Sequence, residues 1–334
     1  MPMKTRTTLT ILPKFRCGKK TGYSLTELML AIVILSVVAL IMISLFSHFV
    51  TFFLSDDDRV LARQRGMDAI SLLEIPVLHT ALGIPSNISG NANRSDIFQK
   101  TFTDPGAAPK KNPPFLAWGA PISISGAKKD NLRILYAVES GVFQVDENGD
   151  AFFDTPLTAN LKLNEPLDAS EITEDSPANT RSWITFAGPS LPIYIESGVN
   201  TLTPTGKSFR LSIQGGDYNE KIRAFSEVLY IKAIRAWVDS NDVFHVMEVL
   251  SSENPGSGPE QTIPGVLRVQ FETDSRTLSM DLLTRGDSRD PARVSRLKTS
   301  RPDLVSRWSL TDAETEYVLD EISVQWRIRN YEYK

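Results

Sequence analysis

The sequence predicts an α+β fold in which one long N-terminal helix packs on an antiparallel β-sheet domain. Three observations lead to this prediction. An uninterrupted apolar segment begins at Leu28, apolar residues continue at helical spacing to Leu73, and short apolar runs rich in β-branched residues follow from residue 132 onward. The 334 residues are enough for one large domain or two small ones besides a membrane-spanning segment.

Residues 1–22 form a basic leader that ends at Gly22. The leader contains no acidic residue, and its cations are Lys4, Arg6, Lys14, Arg16, Lys19 and Lys20. Glu27 then stands directly before residues 28–54, which carry no formal charge when His48 is neutral. About 20 apolar residues are enough for a helix to cross a bilayer. Because an ionised group at membrane depth is costly, a carboxylate at this boundary indicates a specific task.

A single helix is predicted over residues 23–75, with its membrane span at about 28–54. The helix begins near Leu25. We expect it to stop after Glu74, because Pro76 has no backbone N–H and its ring clashes with the preceding turn.

The second half of this helix is predicted to face a globular domain. Apolar residues recur there at helical spacing among charged ones: Val60, Met67, Ile70 and Leu73. We expect this stripe to pack on the domain. Asp56–Asp58 are predicted to cap a break between the two halves, because a short acidic side chain accepts hydrogen bonds from free backbone N–H groups.

Residues 76–334 are predicted to form a β-rich domain. The first part, 76–131, is rich in Pro, Gly and Asn, which predicts long loops. Apolar runs then predict paired strands: Leu132–Val138 with Val142–Val145, Leu229–Val238 with Val243–Val249, and Val266–Phe271 with Leu278–Leu283. A last strand is predicted at Ile322–Ile328, after a helical turn with Thr311 and Glu314 at capping-box spacing.

The charge distribution predicts orientation and excludes one class of partner. Without the leader the side chains sum to −10, because six of the 36 cations are removed while all 40 acidic residues remain. Nucleic acid is therefore not expected as a main partner. Cations precede the span and Asp56–Asp58 follow it, so the N-terminus should face the cytoplasm and the domain should be periplasmic or extracellular. The only cysteine, Cys17, lies in the leader, so a mature chain would form no disulfide.

The order of basic leader, Gly22, carboxylate and apolar span resembles the signal of type IV prepilins and pseudopilins. In that family a prepilin peptidase cuts after the glycine and methylates the new N-terminus. The resemblance implies cleavage after Gly22, methylation of Tyr23, and a role in assembly for Glu27, the fifth residue of the mature chain. Tyr23 departs from the usual Phe or Met but is aromatic.

Beyond residue 75 the chain resembles the large minor subunits of this family, the J-type pseudopilin and the W-type minor pilin, in the order of its elements. The resemblance implies a structural subunit in, or at the tip of, a type IV pilus-like or type II secretion fibre. Its partners would be prepilin peptidase, other pilin or pseudopilin subunits, an inner-membrane assembly platform and membrane lipid. The alternative is a membrane-anchored adhesin or binding domain that uses the signal only for export.

Motifs that would indicate an enzyme are incomplete, and we expect the protein to have no enzymatic activity. Ser125–Lys128 match the S-x-x-K pattern of penicillin-recognising enzymes, but the S-D-N element is missing and the one Lys-Thr-Gly, at 20–22, lies in the leader. His79 and His245 have no metal-ligating residue at zinc-site spacing. The basic stretch Arg285–Arg301 is predicted to be a solvated loop, with a partner's acidic face as the alternative.

A calcium-type loop is the one candidate cofactor site. Oxygen-bearing side chains occupy positions 1, 3, 5 and 9 of such a loop: Asp146, Asn148, Asp150 and Asp154. Ala151 and Leu157 replace the glycine of position 6 and the glutamate of position 12. Asn148-Gly149 also suits a type I′ hairpin turn, so both a calcium site and a plain turn remain open.

Overall fold

The computed structural model describes residues 24–84, 113–143, 150–151, 158–168, 170–173, 176, 178–186, 192–195, 208–212, 222–223, 225–274 and 276–328. The chain divides into two compact units, Met1–Leu54 and Ser55–Lys334. As predicted, the architecture is α+β: a long N-terminal helix is followed by a domain of antiparallel β-sheet.

Helix α1 extends from Leu25 to Leu78. Within the first unit, its large apolar side chains from Leu28 to Leu54 are exposed. The polar side chains of Ser36 and Thr51 donate to backbone oxygens one turn earlier, at 2.8 and 2.9 Å. These bonds give both hydroxyls a partner within the helix itself.

Two expectations about α1 are wrong. The helix has no break at Asp56–Asp58, and it continues through Pro76 to Leu78. Proline is tolerated there because only one helical hydrogen bond is lost close to the end. The final turn is held by the Thr80 hydroxyl, which donates to the Pro76 carbonyl at 2.9 Å.

Fourteen strands and three short helices follow α1 in the described part of the chain. The strands are β1 (Ile122–Ser125), β2 (Asn131–Phe143), β3 (Asp150–Ala151), β4 (Thr158–Lys162), β5 (Trp183–Phe186), β6 (Ile193–Tyr194), β7 (Ser208–Ser212), β8 (Ile222–Arg223), β9 (Glu227–Val238), β10 (Val243–Glu248), β11 (Glu260–Pro264), β12 (Val266–Asp274), β13 (Thr277–Arg289) and β14 (Tyr317–Arg327). The helices are α2 (Arg293–Ser300), α3 (Pro302–Trp308) and α4 (Asp312–Thr315), and 3-10 turns lie at Pro114–Trp118 and Thr180–Ser182.

These strands form two main antiparallel sheets. The seven-stranded sheet has the order β1-β2-β9-β10-β11, and β5 pairs with both β9 and β6. The three-stranded sheet has the order β12-β13-β14. Two further pairs, β3 with β8 and β4 with β7, stand apart from the main sheets.

The two predicted hairpins from residue 229 onward are confirmed, since β9 pairs with β10 and β12 with β13. The predicted break in the first strand pair is wrong, because β2 runs continuously through Glu139-Ser140-Gly141. Its register with β9 shifts between Glu139 and Phe143 instead. The Ser140 hydroxyl donates to the Val228 carbonyl at 2.6 Å, which holds this irregularity against the neighbouring strand.

The C-terminal region is more regular than the sequence predicts. Strand β14 begins at Tyr317, before the predicted Ile322. The capping box is confirmed: Thr311 Oγ1 accepts from the Glu314 amide at 3.3 Å, and Glu314 Oε2 accepts from the Thr311 amide at 2.7 Å. Of the predicted loops in 76–131, residues 85–112 lie outside the described residues, and the remainder includes a 3-10 turn and β1.

The basic stretch Arg285–Arg301 is not the predicted loop. Its beginning belongs to β13 and much of the remainder forms helix α2. Several of its cations pair with nearby carboxylates, as Lys298 does with Asp312 at 2.6 Å and Arg285 with Asp242 at 3.2 Å. These tertiary contacts stabilise structure that local composition does not indicate.

One apolar core joins the second half of α1 to both main sheets. Its helical members are Ala69, Leu73 and Val77, and the sheets contribute large side chains that include Ile134, Phe244, Phe271 and Met280. Leu73 therefore lies in the core as predicted, and Ile70 packs against it.

Two members of the predicted stripe do not face the domain. Val60 and Met67 are 63% and 52% exposed. The residues that do face the domain are small, and Ala62, Gly66 and Ala69 are buried. A Cβ atom at Gly66 would clash with the Ile322 side chain. The helix therefore approaches the three-stranded sheet closely at this point, and a side chain at position 66 would require Ile322 to move.

Candidate functional site

The first turn of α1 holds the predicted assembly residue. Glu27 is exposed, and its Oε2 accepts a hydrogen bond from the Ser24 backbone amide at 3.1 Å. Ser24 Oγ lies 2.7 Å from Thr26 Oγ1 and 3.4 Å from the Thr26 amide. A carboxylate in the first turn also interacts favourably with the positive end of the helix dipole. Glu27 thus stabilises the start of the same helix that carries the apolar segment.

Sequence reasoning missed this local contact, although the signal was present. Ser24 and Glu27 have the S-x-x-E spacing of a capping box, in which the glutamate accepts from the amide of the capping residue. The predicted processing residues, Gly22 and Tyr23, lie outside the described residues. Their roles remain predictions.

The surface that follows Glu27 is apolar over the whole circumference of the helix. Leu35, Ile43 and Phe46 are 69%, 67% and 71% exposed. Within the described residues, α1 is the one helix long and apolar enough to cross a membrane. Fully burying a side chain of this kind contributes about 1.5–3 kcal/mol relative to leaving it in water. This surface therefore requires a cover that the described chain does not supply.

The candidate calcium loop falls almost wholly outside the described residues. Asp146, Asn148 and Asp154 are not described, and Asp150 is placed only as a backbone position in β3, opposite Arg223. The calcium hypothesis therefore stays a prediction. Among the residues that the structure describes, no group of three or more His, Cys, Asp or Glu side chains is arranged to hold a metal ion.

His245 belongs to a stacked set of side chains on the large sheet. Its ring lies parallel to Trp237 with 4.9 Å between the ring centroids, and its Nδ1 is 2.7 Å from Glu260 Oε1. Burial alone would raise the pKa of nearby Asp239. Hydrogen bonds from the Val243 and Asn241 amides and from the Asn241 side chain outweigh it, so the pKa of Asp239 lies below its ordinary value. These contacts make His245 a structural member of the hairpin.

The S-x-x-K pattern is not assembled as a nucleophile and base. Ser125 ends β1, and its hydroxyl accepts a hydrogen bond from Arg133 at 3.2 Å. Lys128 instead lines a cavity of about 500 Å³ between β12, α3 and the turn after β9. Two other cations of this cavity are already paired, Arg307 with Asp281 and Glu321, and Arg268 with Glu314.

Comparison with known proteins gives one family match. Residues 17–43 match the prokaryotic N-terminal methylation motif, which covers Gly22, Tyr23, Glu27 and the first half of the apolar segment. No curated protein and no solved structure matches the chain.

Proposed function

We propose that this chain, a type IV prepilin-like protein by its methylation motif and its long apolar helix, is a minor pilin or pseudopilin. It is a structural subunit that is cleaved after Gly22, methylated at Tyr23, and assembled into or at the tip of a type IV pilus-like or type II secretion fibre. The methylation motif at residues 17–43 is the observation that carries this proposal.

The exposed apolar surface of α1 suits two successive environments, the lipid bilayer before assembly and neighbouring subunits after it. Before assembly, lipid covers residues 28–54 in a single-pass arrangement, with the N-terminus cytoplasmic and the domain periplasmic or extracellular. After assembly, the helices of neighbouring subunits provide the cover. Apolar residues on the outer side of the second half extend this surface beyond Leu54: Val60, Met67 and Ile75 are 63%, 52% and 60% exposed. Such a stripe suits contact with another helix.

Glu27 is the group in this arrangement that needs a charged partner. Cleavage after Gly22 creates an ammonium on Tyr23, and a buried carboxylate left without a partner is strongly destabilising. In the isolated chain Glu27 binds the Ser24 amide instead. We expect the ammonium of a mature chain, its own or a neighbour's, to replace or join that contact in a fibre, so that Glu27 selects the register of assembly.

The partners of the proposed subunit are prepilin peptidase, other pilin or pseudopilin subunits, the inner-membrane assembly platform and membrane lipid. We also propose that the domain has no catalytic role. The hydrogen bond from Arg133 to Ser125 supports this view, because it pairs the serine of the S-x-x-K pattern with a cation other than Lys128.

The test is Glu27→Gln in the full-length protein, which keeps size and removes charge. Cleavage and membrane insertion should stay normal, whereas incorporation into sheared fibres should fall at least about tenfold, since a charge-assisted contact is lost. Glu74→Gln, an exposed position on the same helix, is the matched control. Incorporation of Glu27→Gln at the wild-type level would contradict the proposal.

A further inference from the structure

Two side chains of α1 bind a bulge in β13. Asp58 is 6% exposed, and its Oδ1 accepts the backbone amides of Asp287 and Ser288 at 3.2 and 3.3 Å. Arg65 donates to the Arg285 carbonyl at 2.7 Å and to Asp287 Oδ1 at 2.8 Å. The bulge lies where the pairing of β13 with β14 shifts register, between Arg285 and Arg289.

Gly286 and Gly265 have no side chains, and this leaves room for Asp58 and Arg65. A Cβ atom at Gly286 would stand 2.6 Å from the Asp58 Cβ, and one at Gly265 would stand 2.5 Å from a guanidinium nitrogen of Arg65. Gly265 also has a φ of +80°, which other residues rarely adopt. Any other residue at these positions would displace Asp58 or Arg65.

The contact of α1 with the domain therefore has two chemically different parts. We call residues 55–66 the latch segment, in which Asp58 and Arg65 make polar contacts beside the small buried residues Ala62 and Gly66. We call residues 69–77 the core segment, in which Ala69, Leu73 and Val77 belong to the apolar core. Release of the core segment would expose apolar surface, whereas release of the latch segment mainly exposes polar groups to water.

We propose that the latch segment detaches from β13 while the core segment stays packed, so that α1 has a closed and an open state. In the closed state, Asp58 Oδ2 is buried and has no hydrogen-bond partner among the described residues. An unsatisfied buried oxygen is costly, and opening hydrates it. Gly66, at the junction of the two segments, lowers the cost of bending the helix there.

Two buried alanines provide matched reporters. Ala62 in the latch segment and Ala69 in the core segment are both 0% exposed. In full-length protein with Cys17→Ser, the Ala62→Cys and Ala69→Cys variants are labelled with a maleimide in detergent micelles. The thiol at 62 should react at least about tenfold faster than the thiol at 69, because opening the latch segment breaks mainly polar contacts, whereas opening the core segment exposes large apolar side chains.

Asp58→Asn and Arg65→Gln should each accelerate labelling at 62 severalfold and leave labelling at 69 unchanged. Asp68→Asn and Arg63→Gln, at exposed positions of the same helix, are the controls. Equal rates at 62 and 69, or equal acceleration at both, would contradict the latch.

A salt titration tests the latch without altering its residues. High salt should accelerate labelling at 62 alone, since it screens the contact between Arg65 and Asp287, whose carboxylate is 65% exposed. A rate at 62 that does not depend on salt would also contradict the proposal. None of these outcomes depends on fibre assembly, so the latch and the proposed function fail separately.

Discussion

The two halves of α1 belong to one continuous helix and meet opposite environments. From Leu28 to Leu54 the side chains are large, apolar and exposed, whereas from Asp58 to Val77 the residues that face the domain are buried and several are small. The first half has a surface that other molecules must cover. The second half is already covered on its domain-facing side, because both main sheets pack against it there.

This difference shows that an apolar residue has a different energetic role in each half. In the first half, we expect a single apolar side chain to contribute to membrane insertion. In the second half, it contributes to the free energy of unfolding of the domain. The same substitution should therefore change different measured quantities in the two halves.

The largest expected effect is the loss of unfolding free energy when a leucine is replaced by alanine in the second half but not in the first. Leu73→Ala, at a fully buried position, should lower the free energy of unfolding by about 2–5 kcal/mol, since it leaves a cavity in the core. Leu35→Ala, at a position 69% exposed, is the matched change in the first half and should leave it unaltered. Chemical unfolding in detergent, followed by tryptophan fluorescence, measures both. A loss at position 35 as large as that at 73 would remove the distinction.

The next effect concerns the membrane. Ile41→Arg should impair insertion by about 2.5–3.5 kcal/mol, the cost of a cation near the centre of a spanning helix. Val60→Arg is the control, because Val60 is equally exposed, at 63% against 61%, but lies in the second half. The carbonate-resistant fraction should fall only for Ile41→Arg. Equal extraction of both variants would show that the span is misplaced.

A moderate effect is expected where the domain relies on a local cap. Thr311→Ala removes one arm of the capping box and should lower the free energy of unfolding by about 1 kcal/mol. Burial opposes ionisation of Glu314, but its hydrogen bonds from Thr311 and Arg268 outweigh burial, so the pKa of Glu314 lies below the ordinary 4.5.

The stabilisation from Glu314 is therefore complete above pH 4.5 and is lost as the pH falls through its lowered pKa. The difference between wild type and Thr311→Ala should shrink over that acidic range. Urea unfolding at a series of pH values measures it. A difference that grows on acidification would contradict the assigned role of the cap.

The smallest effect should come from an exposed ion pair of the domain. Lys129 lies 3.2 Å from Glu272, and the two side chains are 52% and 71% exposed. Lys129→Ala should change the free energy of unfolding by only about 0–1 kcal/mol, because solvent screens the pair. The neighbouring Lys128→Ala serves as the control. A larger loss in thermal unfolding would mean that exposed charges, rather than the core, hold the domain together.

Much of the fold follows from periodicity and turn residues. The β9–β10 hairpin was predictable because strongly apolar runs flank Asp239-Ser240-Asn241-Asp242, and the span was predictable from its length and lack of charge. The side of α1 that faces the domain was not predictable from the sequence. The helix contacts the sheet through Gly66 and other small residues, whereas Val60 and Met67 lie on the exposed side. Hydrophobic spacing alone does not reveal how closely two elements approach.

Glu27 could be identified from the sequence, whereas the contacts between α1 and β13 could not. The position of Glu27 before an apolar span identified it from the sequence, and the family match over residues 17–43 includes it. The contacts of Asp58 and Arg65 with β13 join residues more than 200 positions apart, so no local pattern indicates them. Likewise, the strand and helix within Arg285–Arg301 depend on partners distant in sequence, such as Asp242.

Cleavage after Gly22 is tested by intact-mass and N-terminal analysis of membrane-extracted protein from cells with and without prepilin peptidase. We expect a mature chain that begins at N-methylated Tyr23 when the peptidase is present, and an unprocessed chain when it is absent. A chain that retains residues 1–22 in both strains would contradict it. The apolar helix would then be an ordinary anchor, and Glu27 would have no ammonium created by cleavage to pair with.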